Sequence, residues 1–225
     1  SQIAYGDLVS RQYVDIDILV EKKDLKLVQV VLLENGYEEL HNLQDYQKEK
    51  LKDLVHDIAF INKRNRVNIE VHWTLSSSEF FIDLEELNYL SDLKEYEINN
   101  NKITIFSNEK LFIYLCIHGY KHLWERIEWL VDIYYLIEKE NIDLKNVIEQ
   151  AKLIDADRIV LSTLVICERI FDLKIELEDS NIQDEKLNKF TKNMMKEMFI
   201  SYKTLDVKVH SKKFSRVHLY MLKTK

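Results

Sequence analysis

Two aspartates one residue apart, in a segment that otherwise favours a strand, constrain this chain most. Asp15 and Asp17 lie in the run Tyr-Val-Asp-Ile-Asp-Ile-Leu-Val, which is rich in β-branched and aliphatic residues. Because successive strand side chains point to opposite faces, the two carboxylates share one face, and Ile16 and Ile18 take the other, which we predict to be buried. Carboxylates about 6 to 7 Å apart on one face suit a hard cation such as Mg²⁺. A solvated acidic face on an edge strand is the alternative.

A hairpin further along the chain supplies a third carboxylate. Two alternating runs, 56–62 and 67–73, flank a polar four-residue loop, and this pattern predicts a pair of antiparallel strands. In the second run Glu70 and His72 share the face opposite the aliphatic residues. If this strand pairs beside the aspartate strand, Glu70 completes an acidic cluster that could hold one or two Mg²⁺ ions. Alternatively, Glu70 is an exposed strand residue and His72 a half-buried aromatic.

Three segments together resemble a known family. The segment Arg11-x-x-x-Asp15-Ile16-Asp17-Ile18-Leu19-Val20 is similar to the signature of the nucleotidyltransferase superfamily that includes DNA polymerase β, and in particular to its bacterial uncharacterised nucleotidyltransferase family. The other two matches are Ile69-Glu70-Val71-His72-Trp73 and a His-x-x-Lys-His-x-Trp-x-Arg run, 118–126, followed by Trp-Leu-x-Asp at 129–132. The resemblance extends over most of residues 1–140. Residues 1–9 fit the short helix of that signature, but the glycine turn that normally precedes it and grips the nucleotide phosphates is not among these 225 residues.

The resemblance implies transfer of a nucleoside monophosphate from a nucleoside triphosphate to an acceptor hydroxyl, with pyrophosphate leaving. Asp15 and Asp17 would hold Mg²⁺, and Glu70 would complete the metal site or act as a base. Arg11 would orient the strand or contact phosphate. The donor would be a nucleoside triphosphate such as ATP, and the acceptor a small molecule, a protein or RNA.

The resemblance also assigns nucleotide contacts to the helical run. Lys121 and Arg126 would be cations that reach the triphosphate, and His118 or His122 would hydrogen-bond to phosphate or base. Helix packing and ordinary ion pairs within the helix are the alternative for these residues. We expect the tryptophans of this run to be core residues.

Two other functions stay open on the sequence alone. A catalytically degraded nucleotide-binding or regulatory module would explain the missing glycine turn. A metal-dependent hydrolase would use His118 and His122, which are four residues apart and share a helix face, together with Asp132.

Composition bounds the fold and the partners. With 46% hydrophobic and 32% charged residues, the chain is typical of a globular protein, and its net charge of −7 argues against nucleic acid as the default partner. No apolar run approaches the roughly 20 residues that cross a bilayer. Cys116 and Cys167 lack metal-ligand spacing, and we expect free thiols in the cytoplasm. We predict an α+β protein, with a small mixed sheet in domain 1–107 and an all-helical C-terminal domain, 108–225.

Overall fold

The computed structural model describes residues 11, 15–40, 57–75, 82, 84–175 and 185–204. These residues fall into two compact units, one up to Glu85 and one from Glu86 onward. The sequence pattern also predicts helices at 1–9, 45–54 and 213–222, which lie outside the described residues.

A four-stranded mixed sheet forms the basis of the first unit. Its strands are β1 (Ile16–Leu19), β2 (Glu38–Glu39), β3 (Asp57–Asn62) and β4 (Val67–His72). The strand order is β1-β4-β3-β2, in which β1 runs parallel to β4, and β3 runs antiparallel to both β4 and β2. The predicted hairpin therefore forms, and its second strand lies beside the aspartate strand.

Helix α1 (Leu25–Glu34) covers one face of this sheet. Its residues Leu25 and Leu32 are buried against Phe60 and Val71, whose side chains are fully inaccessible to solvent. The helix ends at Glu34, Asn35 is its C-cap residue, and Gly36 adopts the left-handed conformation (φ 80°) that favours glycine after a helix. The sheet face opposite α1 is thereby left for polar residues.

The buried face of β1 is only partly as predicted. Ile18 packs against the core beneath α1. Ile16, in contrast, is 51% exposed, so the prediction that it is buried is wrong. Ile16 is the first residue of β1, and β1 lies at one end of the strand order, so the core covers this position least.

The second unit consists of a hairpin and five helices in the part that the structure describes. These elements are β5 (Lys94–Ile98), β6 (Asn101–Ile105), α2 (Asn108–Lys121), α3 (Ile127–Glu140), α4 (Leu144–Leu153), α5 (Asp157–Phe171) and α6 (Glu185–Thr204). Helix α5 packs against all four other helices, and each of its residues from Ile159 to Cys167 is buried. It is the central helix of this unit.

The α+β fold is confirmed, with a small mixed sheet followed by a largely helical region. The division at residue 107 stays a prediction; by its contacts the β5–β6 hairpin groups with the helices. The sequence pattern also predicts a helix over 83–93 and helix caps at Asp143 and Asp155, and two of these three predictions are wrong. A helix predicted at 83–93 is a 3₁₀ turn at Leu84–Leu87, because Asn88 and Asp92 have positive φ. Asp143 caps α4 as predicted, whereas the N-cap position of α5 is Ala156 and not the predicted Asp155, whose φ is 56°.

A buried lysine joins α2 to the turns that follow Leu87. Lys110 is only 5% exposed. Its Nζ lies 2.8 Å from the carbonyl oxygen of Asn88, 2.9 Å from that of Ser91, 2.7 Å from Ser91 Oγ and 3.3 Å from Asp92 Oδ2. The ammonium group therefore supplies hydrogen bonds to backbone carbonyls that no helix or strand satisfies.

Replacing Lys110 with Met should lower the free energy of unfolding by about 2 to 3 kcal/mol, because the carbonyl of Ser91 and, in part, that of Asn88, which also accepts from Ser91 N–H, lose the charged ammonium donor. Urea unfolding followed by circular dichroism measures this. The matched control is Lys102→Met, since Lys102 makes one exposed ion pair, 2.8 Å from Glu95. This control should cost less than about 1 kcal/mol. Equal losses in the two variants would contradict the role given to Lys110.

Candidate metal and nucleotide site

The pairing of β1 with β4 places two predicted site residues side by side. Asp17 lies opposite Glu70, and the next pair along is Ile18 with Val71. Because Ile18 and Val71 contribute to the core beneath α1, Asp17 and Glu70 lie on the opposite face of the sheet. The two carboxylates therefore share an accessible face.

His72 brings a ring nitrogen to this pair of carboxylates. Its Nε2 lies 3.1 Å from Asp17 Oδ1, within hydrogen-bond distance, and 3.7 Å from Glu70 Oε2. One possible ligand atom from each of these three residues lies within 4.8 Å of the other two. The His72 side chain is 14% exposed, against 35% for Glu70 and 53% for Asp17. We call these three residues the triad.

Two further aspartates add negative charge around the triad. The pKa of the Glu70 carboxyl lies above its ordinary value, chiefly because burial disfavours the charged form. The charges of Asp15, Asp17 and Asp57 raise the pKa further, and His72 partly offsets them. The charges of Asp15, Asp17 and Asp57 therefore all act on Glu70, and the metal-binding roles of Asp15, Asp17 and Glu70 stay predictions.

The same acidic surroundings act on His72. Burial is the largest influence and by itself lowers the pKa of this imidazole. The hydrogen bond to Asp17 and the charges of Asp17, Asp57 and Glu70 together outweigh burial, so the pKa of His72 lies above its ordinary value. A positive charge on His72 is favoured where negative charge is concentrated.

The sequence interpretation missed Asp57 and the contact of His72 with Asp17. Asp57 lies opposite His72 in the β3–β4 hairpin. The four-residue loop pairs Asn62 with Val67. Counting from this pair backward along β3 and forward along β4 leads to the pair Asp57 and His72. That count was the signal available in the sequence.

The donor set fits a divalent cation. Carboxylate oxygens are the ligands that Mg²⁺ prefers, and an imidazole nitrogen is accepted by transition metals. Among the residues that the structure describes, the triad is the group of three His, Cys, Asp or Glu side chains close enough to share an ion. His118, His122 and Asp132 do not form such a group, so the geometry gives the hydrolase alternative no support.

The predicted nucleotide-binding residues of the second unit form an aromatic cluster of their own. The ring centroids of His118 and His122 are 4.9 Å apart. The Trp129 ring centroid lies 5.0 Å from that of His118 and 5.3 Å from that of His122. Arg126 stacks over Trp129, with Cζ 5.9 Å from the ring centroid. Trp129 is half-buried, so the expectation that it is a core residue is wrong. We call these four residues the His–Trp cluster.

One cation and one acid near this cluster act on the pKa of His122. The pKa of His122 lies below its ordinary value because of burial and the neighbouring Lys121, partly offset by Glu125. Lys121 is the last residue of α2 and is half-buried. In the first unit, Arg11 is half-buried at a bend before β1. The roles of these residues toward a nucleotide stay predictions.

A close contact between Gly119 and Trp124 shapes the loop beneath the His–Trp cluster. Helix α2 continues through Gly119 to Lys121, and the chain then turns through Leu123 and Trp124, which both have positive φ. Trp124 is fully buried, as predicted, and its ring fills the space beside Gly119. A Cβ at residue 119 would lie 2.0 Å from Cζ3 of this indole.

Comparison with known families agrees with the geometry. A family model described as Uncharacterised nucleotidyltransferase matches residues 1–172. The chain belongs to this uncharacterised nucleotidyltransferase family. The family supports nucleoside monophosphate transfer as the general function and implies a nucleotide substrate. No curated protein and no solved structure matches the chain. No helix in the described ranges is long and apolar enough to span a membrane.

Glu70→Gln should stabilise the metal-free protein at neutral pH. Because the pKa of Glu70 is raised in the folded state, the folded state binds its proton more tightly than the unfolded state does. The stabilisation from this proton is complete below the unfolded pKa and is lost as pH rises through the folded pKa. Glutamine does not ionise, so the variant does not lose stability in this way as pH rises. In EDTA at pH 7 we expect Tm to rise by about 1 to 3 °C, a small shift because the side chain is partly exposed.

The same melting curves at pH 4 provide the control. There the wild-type carboxyl is largely protonated, so the difference in Tm should shrink toward zero. A variant less stable than wild type at pH 7 would contradict the electrostatic description of Glu70.

Gly119→Ala should destabilise the second unit by about 1 to 3 kcal/mol, since the added methyl group overlaps the buried indole of Trp124. Thermal unfolding measures the loss, and tryptophan fluorescence reports whether the indole moves. The exposed α3 position Glu138→Ala serves as control and should change stability by less than about 0.5 kcal/mol. Unchanged stability in Gly119→Ala would show that the loop repacks freely.

Proposed function

We propose that this protein transfers a nucleoside monophosphate from a nucleoside triphosphate to a hydroxyl of an acceptor, in an Mg²⁺-dependent reaction that releases pyrophosphate. One observation carries the proposal. In a chain of this family, β1 and β4 set Asp17 directly opposite Glu70 on the sheet face that α1 leaves uncovered.

Asp15, Asp17 and Glu70 are the residues that would hold Mg²⁺. When bound, the ion would neutralise phosphate charge that builds up during transfer. The raised pKa of Glu70 describes a carboxylate that binds a proton more readily than usual. This property suits a general base for the acceptor hydroxyl, and a base is the second role we assign to Glu70.

His72 would orient the Asp17 carboxylate through its hydrogen bond of 3.1 Å. A carboxylate fixed in this way loses less freedom when it binds a cation or phosphate. Asp57, on the neighbouring strand, would add to the negative potential that draws a cation to the site.

The remaining predicted residues are proposed to bind the nucleotide. Arg11, Lys121 and Arg126 would pair with phosphate oxygens. His118 and His122 would hydrogen-bond to phosphate or base. The half-buried ring of Trp129 lies beside both histidines. The acceptor is proposed to be a small molecule, a protein or RNA. Cys116 and Cys167 are free and buried, which agrees with our proposal of a cytoplasmic reaction.

Calorimetric titration of ATP, GTP, CTP and UTP, each with Mg²⁺, tests the function. We expect one or more nucleotides to bind in an Mg²⁺-dependent way, and Asp15→Asn/Asp17→Asn to weaken binding at least ~100-fold, because both carboxylates that would hold the ion are neutralised. The matched control is Glu34→Gln, an exposed acid on α1, which should leave affinity unchanged.

Turnover is followed by release of pyrophosphate and by transfer of label from α-³²P nucleotide to candidate acceptors. Label transfer that disappears in the double variant supports the proposed reaction. Nucleotide binding without any transfer would point to the regulatory module. Nucleotide binding that persists in the double variant would show that Asp15 and Asp17 are not part of the nucleotide site.

A further inference from the structure

The donor atoms of the triad lie at distances comparable with those between the ligands of one metal ion. His72 Nε2 is 3.1 Å from Asp17 Oδ1 and 3.7 Å from Glu70 Oε2. Two ligands at right angles, each about 2.1 Å from an ion, lie about 3.0 Å apart, and at a tetrahedral angle about 3.4 Å apart. The distance to Asp17 thus fits a right-angled pair, and the 3.7 Å to Glu70 is ~0.3 Å longer than the tetrahedral value.

The fold holds the imidazole in place. His72 is the last residue of β4, where it pairs with Leu19 on one side and Asp57 on the other. Its side chain is the least exposed of the triad. Little conformational entropy would therefore be lost when Nε2 binds an ion.

A nitrogen ligand changes which ion a site prefers. Mg²⁺ takes oxygen ligands almost exclusively, whereas imidazole suits first-row transition metals. Mn²⁺ is the transition-metal ion that also binds carboxylates, water and phosphate oxygens well. It would accept His72 without giving up the carboxylates or the nucleotide.

We propose that His72 Nε2 is itself a metal ligand, together with Asp17 and Glu70, and that this mixed nitrogen and oxygen centre binds Mn²⁺ in preference to Mg²⁺. The inference rests on the proposed function in one respect, which is that the acidic face holds a divalent cation. It replaces the orienting role of His72 by direct coordination, and it replaces Mg²⁺ by Mn²⁺ as the preferred ion. Binding exchanges the hydrogen bond between His72 and Asp17 for a bond from nitrogen to metal, and the proton on Nε2 is released to solvent.

Metal binding to the whole chain without nucleotide tests this inference. Mn²⁺ is titrated by electron paramagnetic resonance and Mg²⁺ by calorimetry. We expect wild type to bind Mn²⁺ at least ~10-fold more tightly than Mg²⁺. His72→Gln should lower Mn²⁺ affinity ~10- to 100-fold and Mg²⁺ affinity less than ~3-fold. Glu34→Gln should change neither, and circular dichroism confirms that each variant is folded.

A spectroscopic signal separates a ligand from a residue that only orients Asp17. Electron spin echo envelope modulation of bound Mn²⁺ should show a directly coordinated ¹⁴N nucleus in wild type and none in His72→Gln. Equal losses for both ions, with no nitrogen signal, would overturn the inference and leave His72 as a hydrogen-bond donor. In that case the proposed function would stand, provided that Asp17→Asn still abolishes metal binding. If neither ion binds, or if Asp17→Asn has no effect, the acidic face is not a metal site and both proposals fail.

Discussion

The parallel pairing of β1 with β4 is the constraint on which the candidate site depends. It sets Asp17 opposite Glu70 and Ile18 opposite Val71, so one register places acids on the open face and aliphatic side chains under α1. A slip of one residue in either strand would exchange the faces and bury a carboxylate among apolar groups. The register is therefore held by the core, and the core residues specify the acidic site on the opposite face of the sheet.

This arrangement concentrates like charges and depends on other interactions to hold them together. The charges of Asp15, Asp17 and Asp57 all raise the pKa of Glu70, and His72 lowers it and so partly offsets them. Beneath the same strands, the fully buried Phe60 and Val71 pack against α1. Burial of side chains of this size contributes about 1.5 to 3 kcal/mol each. The free energy gained by burying the apolar face of the sheet offsets the repulsion between like charges on its other face.

Much of this could be predicted from sequence because strand periodicity is simple. Alternation alone assigned Asp15, Asp17 and Glu70 to polar faces, and resemblance indicated which strands lie together. Asp57 required one further count across the hairpin. Other features depend on tertiary contacts or on local backbone conformation. Ile16 is exposed because it is the first residue of β1. Positive φ at Asn88 and Asp92 prevents the helix predicted over 83–93, and Asp155, also with positive φ, is not at the predicted N-cap position of α5. No periodic pattern encodes the ring contacts of Trp129 with His118 and His122.

The contact between Gly119 and Trp124 has an evolutionary consequence. The indole occupies the space that any side chain at residue 119 would need, while the loop places two bulky residues, Leu123 and Trp124, in the left-handed region, at a cost of roughly 1 kcal/mol or more each. Buried aromatic packing offsets this cost only while residue 119 remains glycine. The two positions should therefore change together among descendants of this sequence, since a larger residue at 119 requires a smaller one at 124. Such a pair of changes would also alter the loop that follows His118 and contains His122.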